Sequence, residues 1–449
     1  MPRQPDLLPR SKSPKIPISD NHPLIQLTEA LDWDQMQDLA QQIRLSKLKN
    51  AAGKPPHLRA TLGAMAFMAV RPLTYRDAED QIQYYAPARY LCGLTETEWT
   101  PDFTTIQDFT QLMGEEGVRL INQYVVKLAV QMKLADPHIL VGDTTAQEAA
   151  IPHPNEMGLM AGFLRSVTAA AQKVGGTLKE FVHRTAAQFD AATQKAREYR
   201  LFAKSKEAKD RMMGQMVSLV EKINKGLGAA LEAATAKPRK LHGWAIVGGG
   251  KLQQLHQTMN TLLPQIRHWM RTGFVASGKI ISLHIPQLYS IVRGKVGKTV
   301  EFGVNWGITR LGGGYLLATL ASDRHELLDA KFAVRAIKDH IALFGQAPQA
   351  FAYDRGGYST QNVATLHQLG VKEVGLAPRG RARWAVNEST RRRLMKERAM
   401  VEAGIGTIKR SRYGFNRPAA RSVEMMGACG QRAVLGFNVN KLVRELGRQ

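Results

Sequence analysis

The sequence predicts an α/β protein: a mixed sheet flanked by helices, preceded by an all-helical region and interrupted after its first strand by a helical block. Three observations predict it. From about 24 to 133, apolar residues recur at helical spacing. HILVGD at 138–143 reads as a buried strand ending in a carboxylate, and strand patterns return only at 286–294, 299–309 and 315–321. Between them, from about 158 to 275, the chain is rich in Ala, Lys, Gln, Met and Glu and carries almost no strand pattern.

The elements follow in order. Residues 1–22 are rich in Pro, Lys and Ser and read as a flexible basic arm. Residues 23–134 form the expected helical region, a candidate DNA-binding and dimerisation domain. Within it HLRATLGAMAFMAV (57–70) is a helix stopped by Arg71-Pro72, because proline cannot continue the hydrogen-bond ladder. Thr74 and Asp77 resemble a capping box for the next helix, and Asp102 caps FTTIQDFTQLM. Short helices with tight turns fit a helix-turn-helix-like module or a plain helical bundle equally well.

The helical block reads as long helices with an antiparallel hairpin, a scaffold without chemistry for most of its length. Its GGGK at 248–251 is not a phosphate loop, because Ala245 and Leu252 stand where a Walker loop needs Gly and Ser or Thr. After the returning strands come a helix (HELLDAKFAVRAIKDHIALFG), the strand AFAYD ending at Asp354, a helix at 361–369, the strand KEVGLA, a basic segment and a helix containing Glu402. With the block removed and the returning patterns counted as two or three antiparallel strands, the order is βββαβαβα with room for one more strand, that of an RNase H-like fold, so 135–449 is the expected catalytic domain with its insertion at about 158–275.

Charge narrows the function. Lys and Arg total 62 against 38 Asp and Glu, a net charge of +24. Such a surface attracts polyanions, and nucleic acid rewards many dispersed cations through counterion release. A membrane surface is the weaker candidate: no apolar run is long enough to span a bilayer, and the N-terminus lacks the apolar core of a signal peptide. Cys92 and Cys429 are the two cysteines, which excludes a disulfide framework or a cysteine zinc site and fits the cytoplasm, close to the nucleoid.

Asp143 and Asp354 each end an apolar strand, and carboxylates at the ends of neighbouring strands can converge at one sheet edge. Singly, each also fits an aspartate that begins a turn. Arg398, Glu402 and Lys409 fall within about 40° of one another on one helix at 100° per residue. A carboxylate flanked by cations along one stripe suits an ion bound beside a phosphate; a solvated Arg–Glu pair is the plain alternative. The surroundings favour the former: from Arg379 to Arg421 cations far outnumber Glu388, Glu397 and Glu402, with Trp384, Tyr413 and Phe415 interleaved as candidates for stacking on bases or sugars. Arg410 and Arg412 extend this basic run, Arg355 follows Asp354 directly, and Arg293, Lys295 and Lys298 cluster about a glycine-containing turn; all are candidate DNA contacts, with solvated turns and structural pairs as the alternatives. Glu148 and Glu301 read as ordinary strand or loop charges, with acids behind a metal site as the alternative, and His153 as a surface histidine.

Four segments resemble the DDE transposases of bacterial insertion sequences: VGDTTAQEAAIPHPNEMGLM (141–160), YSIVRGKVGKTVEFGVNWGI (289–308), FAYDRGGYST (351–360) and RAMVEAGIGTIKRSRYGFNR (398–417). PDFTTIQDF (101–109) is similar to the N-terminal module of the same proteins. The resemblance implies a catalytic and metal-binding triad of Asp143, Asp354 and Glu402 holding two Mg²⁺ or Mn²⁺. It also implies DNA partners (the terminal inverted repeats of a mobile element and a target), cleavage and joining by phosphoryl transfer, and a homodimer on DNA. Arg398, Glu402 and Lys409 match the Glu helix of one branch, whereas Met395 stands where that branch has Tyr. The long interval lies between the two Asp residues rather than before Glu402, so a hairpin-processing insertion at the latter place is not expected. A metal-dependent nuclease or resolvase of the same fold and a non-catalytic DNA-binding protein are the competing readings.

Overall fold

The computed structural model describes residues 18–47, 57–94, 99–236, 244–295, 298–378 and 383–448, apart from the side chains of 244–246, 293–295 and 298–299. Six helices come first: α1 (Pro23–Ala30), α2 (Trp33–Lys47), α3 (Leu58–Val70), α4 (Tyr75–Tyr84), α5 (Ala86–Leu91) and α6 (Phe103–Gln131). Local chemistry sets their ends. α3 stops at Arg71, ahead of Pro72. The Thr74–Asp77 box is complete: Thr74 Oγ1 accepts the Asp77 amide at 3.2 Å, and Asp77 Oδ2 accepts the Thr74 amide at 3.1 Å. Asp102 Oδ1 accepts the Thr105 amide at 2.7 Å. α6 runs well past the expected helix because Gly114, at φ 59°, lets two helical stretches join across a kink.

β1 (Asp136–Glu148) leads into the helical insertion: α7 (Glu156–Val174), α8 (Gly176–Arg184), α9 (Ala186–Phe202), α10 (Lys206–Ala236) and α11 (Trp244–Thr272). The expected antiparallel hairpin is α10 with α11. Glu221 pairs with Arg267 and Asn224 bonds Asn260, so one sequence rises as the other falls. The insertion has its own core, built on Phe163, Met216, Val220, Leu255 and Met259. GGGK lies inside α11.

The chain then forms β2 (Tyr289–Lys295), β3 (Lys298–Gly312), β4 (Leu316–Leu320), α12 (Asp329–Phe344), β5 (Ala350–Tyr353), a one-turn 3₁₀ helix (Arg355–Gly357), α13 (Thr360–Gln368), β6 (Glu373–Leu376), α14 (Glu388–Ile408) and α15 (Val423–Leu446). The result is one mixed sheet of order β2-β3-β1-β5-β6, with β4 also on β3. β3 is antiparallel to β1, β2 and β4, whereas β1, β5 and β6 run parallel. β2 pairs with β3 up to Gly303 and β4 with Trp306–Arg310, so the two share one edge of β3 end to end. Gly313 and Gly314, at φ 82° and 102°, make the β3–β4 turn that side chains resist.

Two expectations are corrected. The first strand does not end at Asp143: β3 continues to pair with it, and the ladder runs on to Glu148 opposite Gly303. The helix expected from His325 begins at Asp329, because Leu328 is extended.

The helical N-terminal region does not have a core to itself. Leu27, Phe67, Ile106 and Val125 belong to one cluster with Phe332, Phe351 and Tyr353 of the sheet layer and with Leu435 and Leu442 of α15. α15 is the joint. Asn438 Nδ2 donates to Asn122 Oδ1 of α6 and to the Leu316 carbonyl of β4, both at 2.7 Å, and its Oδ1 accepts the Leu316 amide at 2.9 Å.

Candidate active site

β1 and β5 are in register from Ile139–Ala350 to Val141–Ala352. β5 ends at Tyr353, so Asp354 leaves the sheet at the edge where Asp143 lies, just beyond the last registered pair. Asp143 Oδ1 accepts the Thr144 amide at 2.7 Å, and Asp354 Oδ1 accepts the Gly356 amide at 2.8 Å, capping the 3₁₀ turn. α14 packs across β1, β5 and β3 through Leu394, Val401 and Ile405, which presents Glu402 on the next position of its surface. An open cleft of about 680 Å³ therefore gathers Asp143, Asp354, Glu402 and Lys409, walled on one side by Ile291 and Val292 of β2.

A fourth carboxylate, Asp329 at the start of α12, lines the same cleft. The crowding shows in the acidities. Burial, then the charges of Asp354 and Asp329, push Asp143 up to about 6, against the Thr144 amide and Arg398, which lower it. Burial and Asp329 likewise raise Asp354, opposed by the Gly356 amide, Arg398 and the Gly357 amide. Arg398 is thus felt by both aspartates while its Nη2 donates to Glu402 Oε1 at 2.8 Å. As the side chains stand, no three His, Cys, Asp or Glu among the described residues are gathered closely enough to hold one ion. Glu402, 53% exposed, faces Arg398.

Residues 13–112 match the family model described as Transposase domain (DUF772). The chain carries a transposase domain. The match supports a transposase of the insertion-sequence type, for which DNA is the general partner. It covers α1 to α5 and the first part of α6, and stops short of the cleft. No curated protein and no solved structure matches the chain. No helix among the described residues is long and apolar enough to cross a membrane.

The transposase domain is fastened to the segment that follows Glu402. Arg412 Nη2 donates to the Val70 carbonyl at 3.2 Å and to Asn440 Oδ1 at 2.9 Å, and Asn440 Nδ2 donates to the Ala69 carbonyl at 2.8 Å. Arg412, expected on DNA, is held between this region and α15 through Nη2 and remains exposed. Arg410 and Arg355 are exposed, in the turn after α14 and in the 3₁₀ turn. Arg293 and Lys295 end β2 and Lys298 begins β3; their side chains lie outside the described structure, as do Arg379 and Arg381. Phe415 corrects the reading of the interleaved aromatics: it is fully buried, 5.6 Å from the Trp306 ring, and cannot stack on a base. Tyr413 packs near Phe437, and Arg391 lies over Trp384.

Sequence reasoning missed Asp329. An acid at a helix start reads as a favourable charge for the helix dipole, and its role becomes visible only when α12 is laid against β1 and β5.

Proposed function

We propose that the protein is a transposase of the DDE kind, which binds the ends of its mobile element, cleaves there and joins the freed 3′-OH ends to target DNA. The observation that carries this reading is the cleft: carboxylates from three distant segments, Asp143, Asp354 and Glu402, line it together with Lys409, in a chain whose residues 13–112 match a transposase domain. An RNase H-like core is supported by the antiparallel β4-β3-β1 and parallel β1-β5-β6 halves of the sheet.

The donor set suits hard divalent ions: its groups are carboxylates, and the crowding that raises Asp143 and Asp354 is what a cation relieves. Asp143, Asp354 and Glu402 would hold two Mg²⁺ or Mn²⁺, which would supply Lewis-acid stabilisation and a more acidic water. The chain's own groups do the rest. Arg398 keeps both aspartates more acidic than burial alone would. Arg398 and Lys409 bracket Glu402 and bind non-bridging phosphate oxygens, fixing the strand across the cleft. In joining, the 3′-oxygen forms a new bond to a target phosphorus, its proton leaves to solvent, and the target's own 3′-oxygen departs.

The test is cleavage and joining of a labelled duplex carrying the element's end, with Mg²⁺ or EDTA, for wild type and Asp354→Ala. Metal-dependent joined product that disappears in the variant is the expected result; joining that survives in Asp354→Ala overturns the assignment. Cleavage without joining would instead make it a nuclease. One observation favours a protein that binds DNA without chemistry: Glu402 is paired with Arg398 rather than with the aspartates. End binding indifferent to metal, with no cut product, would establish that reading. A paired-end complex containing two protomers is expected, and one containing a single protomer would exclude the dimer.

A further inference from the structure

We infer that Asp329 is a positioning residue that sets the spacing of Asp143 and Asp354; the inference rests on the phosphoryl-transfer reading above. The register of β1 with β5 ends at Val141–Ala352. Both aspartates lie beyond that point, where the cross-strand ladder no longer ties the two segments. Asp329 supplies the missing tie. Its Oδ1 accepts the hydroxyl of Thr144 at 2.6 Å and the hydroxyl of Tyr353 at 3.2 Å. Thr144 directly follows Asp143, and Tyr353 directly precedes Asp354. One carboxylate oxygen therefore bridges the immediate neighbours of both cleft aspartates. Tyr353 is fully buried and Thr144 nearly so, so these charge-assisted bonds have little water to compete with.

Asp329 is itself held. A Cβ at Gly356 would overlap its Oδ2, so the glycine leaves room for the carboxylate against the turn that carries Asp354. Asn362 Nδ2 donates to the carbonyls of Ala330 and Gly357, both at 2.8 Å, pinning the start of α12 to that turn. A third negative charge beside two others is unfavourable, and with burial it raises the pKa of both Asp143 and Asp354. The bridge is what the position gains in return.

Partners that orient metal-binding side chains from behind alter metal affinity about 10- to 100-fold when removed. The experiment is an EPR titration of the DNA-free protein with Mn²⁺, together with the Mg²⁺ dependence of cleavage, for wild type, Asp329→Ala, Asp329→Asn and Thr144→Val. Asp329→Ala is expected to weaken Mn²⁺ binding and raise the half-saturating Mg²⁺ by at least about tenfold. Asp329→Asn keeps an acceptor oxygen for both hydroxyls and is expected to recover most of the loss. Thr144→Val, which removes one donor, falls between and keeps the test alive if Asp329→Ala does not fold. Asp329→Ala with wild-type Mn²⁺ affinity overturns the inference. So does Asp329→Asn behaving like Asp329→Ala, since the charge itself would then be the active feature. Wild-type protein that neither binds Mn²⁺ nor cleaves overturns the phosphoryl-transfer reading and this inference with it, an outcome distinct from the other two.

Discussion

The insertion buries Phe163, Met216, Val220 and Leu255 around a core in which, among the described residues of 156–272, no charged side chain is buried. The cleft edge of the sheet does the reverse, drawing Asp143, Asp354 and Asp329 together until Asp143 is pushed up to about 6. One region gains from every contact it makes. The other accepts like-charge repulsion, and the apolar clusters around it supply the stability that this repulsion removes. On the proposed function, stability and chemistry are thus separable in this molecule by region.

The largest expected effect lies in the cleft. Asp354→Ala should lower joining by ~10³-fold or more, the scale on which one preorganised charge-stabilising group acts, while a thermal melt shows little change, because relief of the crowded charge offsets the lost cap on the Gly356 amide. A comparable loss of stability would mean that the aspartate holds the fold and that the contrast is false. Next comes the insertion: Phe163→Ala should cost about 3–5 kcal/mol by leaving a cavity. Hydrogen exchange should then quicken in α7–α11 and remain slow in β1 and β5; loosening throughout would show that the insertion has no independent core.

The pH dependence sharpens the contrast. In metal-free protein the native Asp143 binds its proton more tightly than the unfolded chain, whose carboxyl titrates near 3.8. Its contribution to stability is therefore greatest at low pH and falls as pH rises from about 4 through about 6, by roughly 3 kcal/mol in all. His340 opposes it: burial lowers its pKa to about 4, so its contribution is lost as pH falls from 6.5 through 4. Denaturant melts of wild type and Asp143→Asn across this window isolate the first effect. The variant should gain on wild type as pH rises, and parallel curves would remove the crowding argument. The smallest effect is Asp102→Ala, expected to cost about 1 kcal/mol through loss of the α6 cap, readable as a shifted urea midpoint.

Much of this was legible in the chain because it is set locally. Pro72, the Thr74–Asp77 box and Asp102 mark helix ends through bonds spanning only a few residues, and the helical period of the insertion needs no partner. Asp354 was readable as a strand-end acid and Glu402 as a helix-face acid, and both line one cleft with Asp143, which lies within β1 rather than at its end. What failed depends on distant partners. β1 runs to Glu148 because β3, far along the sequence, keeps pairing with it. Phe415 looked available for stacking amid arginines, yet Trp306 buries it. Asp329 gains its meaning only from two hydroxyls on strands it does not neighbour in sequence.

The placement of α15 bears on how the polypeptide is made. Its apolar face completes the core that α6 and α3 begin near the other end of the chain, and Tyr315 reaches Glu445 within it at 2.5 Å. Translation must therefore pass Leu446 before either the N-terminal helices or the sheet can finish folding, and until then both expose unfinished apolar surface. A nascent chain halted before Val423 is expected to be degraded rather than to linger as a partial DNA-binding fragment. Pulse-chase labelling of a chain truncated there would decide it: persistence as a soluble species would show that the N-terminal region can close its core alone.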